Sequence, residues 1–295
     1  MRLWVYIDGK VLPEEKAAVS VFDRGLSYGD GLYETLKAKD GRPLFLREHM
    51  MRLRAGARFL GLPSSGLKAF EKVIMDGAIE ALLKKNGLVK GESYVKLMLT
   101  RGPDRASHLP SRGLKPTRII IVKPLDSIWV ERVAKRGVSA IFVEDIAPPL
   151  PGVKSLNYLP SVLARMRAEK EGAFEAIFVK DGLLTEGSSS NVFLVKNGRL
   201  ITSPLSAKPS TGVLAGVTRE NVIRLARRHS IPVREAPIKA GDISSFDEAF
   251  ITNSIIDAIP LIKASGSMIG DGRPGPIAKR IRALLKGLAQ PPFRP

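Results

Sequence analysis

Cysteine is absent from the 295 residues, which excludes disulfides, thiolate nucleophiles and sulfur-ligated metals. Histidine is nearly absent too, with only His49, His108 and His229, so no metal centre is expected. Aromatic residues make up 6% of the chain, and no stacking platform of the kind that binds single-stranded nucleic acid is visible. Acidic residues are few beside basic ones, 29 against 47, giving a formal charge of +18. That balance suits a polyanion binder or an enzyme of anionic ligands. The basic residues interleave with acids along helix-like stretches such as 47–58 and 219–228, with no basic tail, so they read as a solvated surface and no nucleic-acid partner is expected. No apolar run approaches membrane-spanning length, and the opening stretch reads as a strand and turn without a signal peptide's apolar run. The expectation is a cytoplasmic protein with no membrane partner.

Hydrophobic content, at 44%, is that of a globular core, and the length suits one large domain or two ordinary ones. Dipeptides of tight hairpin turns recur between apolar runs: Asp8-Gly9, Asp40-Gly41, Asp181-Gly182, Asn197-Gly198 and, more weakly, Asp271-Gly272. Helical spacing predicts helices over 47–60, 67–85, 156–171, 217–229 and 276–288, and strands over 93–100, 118–122, 138–143, 175–179, 191–195 and 248–252. Helices and strands mix without strict alternation, so the fold class is α+β. A small domain over 1–122, a linker over 123–127 and a larger domain over 128–295 are expected, with the proline of Lys123-Pro124-Leu125-Asp126 marking the join.

Five stretches carry candidate chemistry. In Pro148-Pro149-Leu150-Pro151-Gly152-Val153-Lys154, the prolines hold an extended approach to a lysine that is the only charged residue between Asp145 and Arg165. A lysine held among apolar neighbours is poorly solvated, which favours the neutral amine that attacks a carbonyl and forms a Schiff base. Thr185-Glu186-Gly187-Ser188-Ser189-Ser190-Asn191 sets one carboxylate among short hydroxyl donors, where it could bond a protonated ring nitrogen. Gly212 to Glu220 is a glycine-spaced loop opening a helix, a natural anion site through its free amides, although it lacks the ending of a Walker loop. Asn253-Ser254-Ile255 breaks a strand into a polar turn that could grip a second part of the same anion. The last two stretches, Phe22 to Glu34 and Thr100 to His108, offer Arg24, Tyr33 and a cationic loop for anion recognition.

In this order the stretches resemble the class IV, fold-type IV pyridoxal-phosphate (PLP) enzymes: D-amino-acid aminotransferases, branched-chain aminotransferases and aminodeoxychorismate lyases. The similarity runs from about Trp4 to Leu288, and its most specific pieces are Lys154-Ser155-Leu156-Asn157, Thr185 to Phe193 and Gly216-Val217-Thr218-Arg219. The resemblance implies a small N-terminal α/β domain and a larger β-rich pseudo-barrel domain carrying the cofactor lysine. It makes Lys154 the catalytic lysine that holds PLP, Glu186 the partner of the pyridine nitrogen, and Arg52, Val217, Thr218, Ser254 and Ile255 the phosphate grip. Tyr158 and Ser190 complete the cofactor contacts. Tyr33, Ser189, Arg105 and His108 bind the substrate; Arg105 and His108 look like the arginine-histidine pair of D-amino-acid aminotransferases, but two residues separate them where that group has one. The function implied is ping-pong transamination between an amino acid, D-amino acids favoured, and a 2-oxo acid, with branched-chain L-amino acids or the lyase reaction as alternatives. A homodimer is implied as well.

Overall fold

The structure, a computed structural model, describes residues 2–105, 108–206 and 212–288. The chain forms two compact units. One holds the described residues through Asp126 together with Lys154–Asn157; the other holds Ser127–Val153 and the described residues from Tyr158 onward. Both mix helices with largely antiparallel sheets, as the α+β reading expects.

The first unit is a six-stranded sheet built from β1 (Trp4–Ile7), β2 (Lys10–Pro13), β3 (Gly31–Lys39), β4 (Arg42–Pro43), β5 (Glu92–Thr100) and β6 (Arg118–Pro124), in the order β2-β1-β6-β5-β3-β4. Its helices are α1 (Arg24–Tyr28), α2 (Leu46–Phe59), α3 (Ser64–Met75) and α4 (Ala78–Lys85). Side chains alternate across a strand, so Leu32, Glu34 and Leu36 of β3 point to one face and Tyr33 to the other. α2 packs on β3 and buries His49, Met50, Leu53 and Ala57. The single helix expected over 67–85 is two helices, α3 and α4. Between them Gly77 takes φ 89°, a left-handed conformation that only glycine adopts at no steric cost, and the chain turns there.

The second unit contains α5 (Ser127–Arg136), β7 (Val138–Val143), α6 (Leu159–Lys170), β8 (Glu175–Lys180), β9 (Leu183–Gly187), β10 (Asn191–Lys196), β11 (Arg199–Thr202), α7 (Val217–Arg228), β12 (Val233–Glu235), β13 (Glu248–Asn253), β14 (Asp257–Ala264), β15 (Ser267–Met268) and α8 (Pro276–Lys286). Its nine strands run β12-β11-β10-β13-β14-β7-β8-β9, with β15 on β14. The runs that read as strands are buried on both faces: β8 and β10 are apolar and inaccessible over most of their length, under α5 to α8. Helix α5 has no counterpart in the sequence reading, because its buried stripe is only Val130 and Ala134 among charged neighbours. All four Asp-Gly or Asn-Gly hairpin turns have positive φ at both residues, whereas at Asp271-Gly272 only the glycine does. Among the described residues no helix is long and apolar enough to cross a membrane.

Candidate active site

Lys154 is fixed through its backbone. The Tyr33 amide donates to the Lys154 carbonyl at 3.1 Å and the Leu156 amide donates to the Gly31 carbonyl at 2.9 Å, so the lysine lies in a short antiparallel pairing with the start of β3. Gly31 permits this closeness, since a Cβ there would lie 2.8 Å from Leu156 Cδ1 and 2.8 Å from the Leu99 carbonyl oxygen. This extended pairing, together with Pro160, which has no amide to donate and fits only the first turn of a helix, sets the start of α6 at Leu159 and not at residue 156. The half-buried Lys154 Nζ donates to the Tyr33 hydroxyl at 3.3 Å and lies 4.3 Å from the centre of its ring.

On the opposite face of β3 sits a buried ion cluster. Glu34 Oε1 accepts from Arg52 Nε at 2.8 Å, and Glu34 Oε2 from Arg52 Nη2 at 2.6 Å, while His49 Nδ1 is 2.7 Å from the same Oε2. Burial opposes ionisation of Glu34, but the charge and hydrogen bonds of Arg52 and the bond from His49 outweigh it and hold the carboxyl down to about 2. Burial pushes the His49 imidazole down, against the pull of Glu34, and the charges of Arg52 and Lys154 push it the same way. Arg52, which the sequence marks as a phosphate ligand, is therefore oriented by Glu34, with 14% of its side chain exposed.

Tyr33 has a second cation on its ring: Lys96 Nζ of β5 lies 5.1 Å from the centroid. Burial lowers the Lys96 pKa, and the neighbouring Lys123 lowers it further. Among the described residues no carboxylate comes within ion-pair distance of Lys96, while Glu92, on the same face of β5, pairs with Lys37. Arg105 and His108 are exposed and engage different aromatic rings: the Arg105 guanidinium lies 5.3 Å from the Phe22 ring and the His108 ring 5.9 Å from that of Tyr28. Arg101 and Arg24 share Asp30, at 2.6 and 2.9 Å, and are structural.

In the second unit Glu186 is buried at the end of β9, and its Oε2 accepts from the Leu214 amide at 2.9 Å. Asn191 Nδ2 donates to the Leu214 carbonyl at 3.0 Å. Leu214, held through both its amide and its carbonyl, fixes the loop leading into α7. Gly216 caps that helix with no side-chain bond, and its place requires glycine because a Cβ would meet Asn191 Oδ1 at 2.0 Å. Helix geometry gives the Val217 and Thr218 amides no partner within α7, and the dipole there favours an anion. Beside Asn253, the buried Thr252 Oγ1 has no hydrogen-bond partner. In the turn that follows, Asn253 Oδ1 accepts from the amides of Ile255 and Ile256 at 2.9 and 3.0 Å, so the Ile255 amide is engaged within the turn. The Tyr158 hydroxyl donates to the Ser188 carbonyl at 2.8 Å. The hydroxyls of Ser188, Ser189 and Ser190, read from sequence as donors around a ligand, converge instead on Glu175.

Four residues went unassigned in the sequence: Glu34, His49, Lys96 and Glu175. Glu175 leaves a trace as a charged residue opening an otherwise apolar, buried strand, whereas Glu34, His49 and Lys96 lie among polar or half-buried neighbours and leave none. His49 and Arg52 are also one helical turn apart, so both reach one partner. In the first unit Lys154 has the chemistry to meet a carbonyl; in the second, Glu186 has that to meet a basic ring nitrogen and the glycine-capped start of α7 that to meet a phosphate.

Residues 31–263 match the family model described as "Amino-transferase class IV". The chain is 35% identical over 289 residues to a Methanocaldococcus jannaschii protein named, provisionally, as a branched-chain-amino-acid aminotransferase, covering 96% of each. It is 32% identical to the D-alanine aminotransferase of Bacillus licheniformis, covering 96% of this chain and 95% of that one. The branched-chain aminotransferase of Thermoproteus uzoniensis, solved with norvaline, superposes with a TM-score of 0.82 at 28% identity, covering 97% of this chain and 94% of that one. The PLP-bound form of a hypothetical aminotransferase from Mycobacterium tuberculosis superposes at 0.80 with 25% identity, covering 96% and 97%. The α+β architecture expected from sequence is thus the fold-type IV architecture, and the chain belongs to the class IV aminotransferases.

Proposed function

We propose that this aminotransferase is PLP-dependent and moves an amino group between a D-amino acid and a 2-oxo acid by a ping-pong mechanism. The observation that carries the reading is the Lys154 side chain, anchored by its own backbone and with Nζ 3.3 Å from the Tyr33 hydroxyl. PLP, when bound, supplies an aldehyde for the amino group and a ring that draws electron density from the substrate Cα. Lys154 Nζ would hold the cofactor and then, as a free amine, carry the proton to and from the substrate Cα. Glu186 would keep the proton on the ring nitrogen. The Val217 and Thr218 amides, Arg52 and the Ser254-Ile255 turn would bind the phosphate, while Tyr158 and Ser190 would contact the cofactor away from the phosphate.

Tyr33, Ser189, Arg105 and His108 would receive the substrate, and the D-alanine aminotransferase relative supports the D-enantiomer. The branched-chain L-amino-acid reading has support of its own in the 35% identical relative and in Lys96, a second cation beside Tyr33 available for a carboxylate. An exposed apolar stripe on α6, formed by Leu159, Val162, Leu163 and Met166 at helical spacing, supports the homodimer implied by the family.

Incubating the PLP-loaded protein with D-alanine, D-glutamate, L-leucine, L-isoleucine and L-valine, each with 2-oxoglutarate or pyruvate as acceptor, tests the choice. Turnover confined to the D-donors is expected, read as 2-oxo acid formed per donor. Turnover confined to the L-donors would replace the first reading by the second, and pyruvate release from aminodeoxychorismate without turnover of any donor would oppose both.

A further inference from the structure

β8 opens on a glutamate, Glu175, that is 1% exposed at the start of a strand otherwise built from Ala176, Ile177, Phe178 and Val179. A buried carboxylate is costly unless it is paired or fully hydrogen-bonded. The cation nearest to it is Arg165, whose Nη1 lies 3.9 Å from Oε1 and whose side chain is 42% exposed. What offsets the burial is a set of four donors. The Ala176 amide donates to Oε1 at 2.9 Å, the Ser188 hydroxyl makes a short bond to the same oxygen, and the Ser189 and Ser190 hydroxyls donate to Oε2 at 3.1 and 2.8 Å. A carboxylate has about four lone-pair sites and donates nothing, so four donors fill it.

Three consecutive residues of an extended strand cannot aim their side chains at one point, because alternate residues face opposite ways. Here the chain bends: the Gly187 amide donates to the Ser190 carbonyl at 2.7 Å. Gly187 cannot carry a side chain, since a Cβ would lie 2.2 Å from Ser190 Oγ and 3.1 Å from Glu175 Cδ. With the hydroxyls turned in to Glu175, the carbonyls of the bend serve other groups. That of Ser188 accepts from Tyr158 Oη, and that of Ser189 accepts from Asn253 Nδ2 at 3.0 Å. Asn253 in turn closes the Ser254-Ile255 turn through its Oδ1. The bend also lies directly after Glu186 in the chain.

We propose that Glu175 is a positioning residue for cofactor binding. By gathering three serine hydroxyls, its carboxylate sets the bend that orients Tyr158 and the Asn253 turn. Each of those hydroxyls has one hydrogen, already committed to Glu175, so the serines can only accept from any further group, such as an N–H donor. The inference rests on the PLP reading above and goes beyond it by naming a residue with no contact to the cofactor of its own.

The test compares the wild-type protein with Glu175→Gln, Glu175→Asp and Ser188→Ala. Each is measured for thermal stability without cofactor, for the Kd of PLP, and for visible circular dichroism of the bound cofactor. Glu175→Gln places an NH2 where an acceptor oxygen was, facing donors, and is expected to weaken PLP binding about tenfold or more and to diminish the cofactor's dichroic band. Glu175→Asp keeps the charge and is expected to recover part of both. If Glu175→Gln does not fold, Ser188→Ala removes a single donor and is expected to move the same two readouts by a smaller amount. Variants that melt earlier yet bind PLP with the wild-type Kd and dichroism would overturn the proposal and leave Glu175 a purely structural group. A wild-type protein that takes up no PLP would instead overturn the function reading on which it rests.

Discussion

Replacing Lys154 with alanine is expected to lower kcat by more than about 10^3-fold while leaving the folded protein intact. The two halves of that expectation have separate physical causes. The local fold at this position is carried by the Tyr33 amide on the Lys154 carbonyl and by the Leu156 amide on the Gly31 carbonyl, and neither bond uses the side chain. The proposed chemistry, by contrast, would use the amine twice, first as anchor and then as the group that moves the proton at the substrate Cα. A small primary amine added to the Lys154→Ala protein is expected to restore part of the turnover, since it can supply the proton transfer but not the tether. Steady-state kinetics on the best donor, with a thermal melt of the same preparation, check the expectation. A variant with wild-type kcat and a raised KM would remove Lys154 from the chemistry and leave it a binding group.

Glu34→Gln is expected to destabilise the protein by about 3–5 kcal/mol, because it removes one partner of a buried ion pair and leaves Arg52 and His49 without their shared carboxylate. The wild-type protein should also lose stability in acid for the same reason. The Glu34 carboxyl has an ordinary value of 4.5 and is held at about 2 in the folded chain. Its contribution is therefore complete above pH 4.5, lost as the pH falls toward 2, and worth about 3 kcal/mol in all. His49 acts in the same direction: its pKa is lowered from 6.5, so below that pH the unfolded chain takes up a proton that the folded chain refuses. Denaturant unfolding at a series of pH values should show a steeper decline below pH 4.5 in the wild-type protein than in Glu34→Gln. Parallel curves for the two would mean that the carboxylate is not ionised against Arg52 in the folded state.

The parts of this molecule that were legible in its sequence are the ones decided locally. An Asp-Gly or Asn-Gly pair needs only its own two residues to adopt positive φ, and all four such hairpins formed. The start of α7 at Val217 was equally plain, because a glycine directly precedes a run at helical spacing, although the contacts of that loop with Glu186 and Asn191 were not. What escaped notice depends on partners far along the chain. The Lys154 stretch is extended because it pairs with β3, 121 residues from Tyr33 to Lys154, whereas the start of α6 at Leu159 also has a local mark in Pro160, a residue tolerated only in a helix's first turn. Glu34 meets His49 and Arg52 across a strand and a helix, and Glu175 meets serines 13 to 15 residues ahead only because the chain bends at Gly187. Helix α5 was hidden for a different reason: its buried stripe is too narrow to stand out against its charged residues. In the candidate site, the residue types were readable and their hydrogen-bond directions were not. The serine run was visible as polar, but only the buried carboxylate reveals which way its hydrogens point.

The central claim is that Lys154 is the residue through which this protein binds its cofactor covalently. The most direct measurement is to load the wild-type protein with PLP, reduce it with borohydride, digest it and locate the phosphopyridoxyl mass by tandem mass spectrometry. A single modified peptide spanning Val153-Lys154-Ser155, with one label per chain and loss of the visible absorption band on reduction, is the predicted result. Label spread over several of the chain's other lysines, or found on Lys96 with Lys154 unmodified, would contradict it.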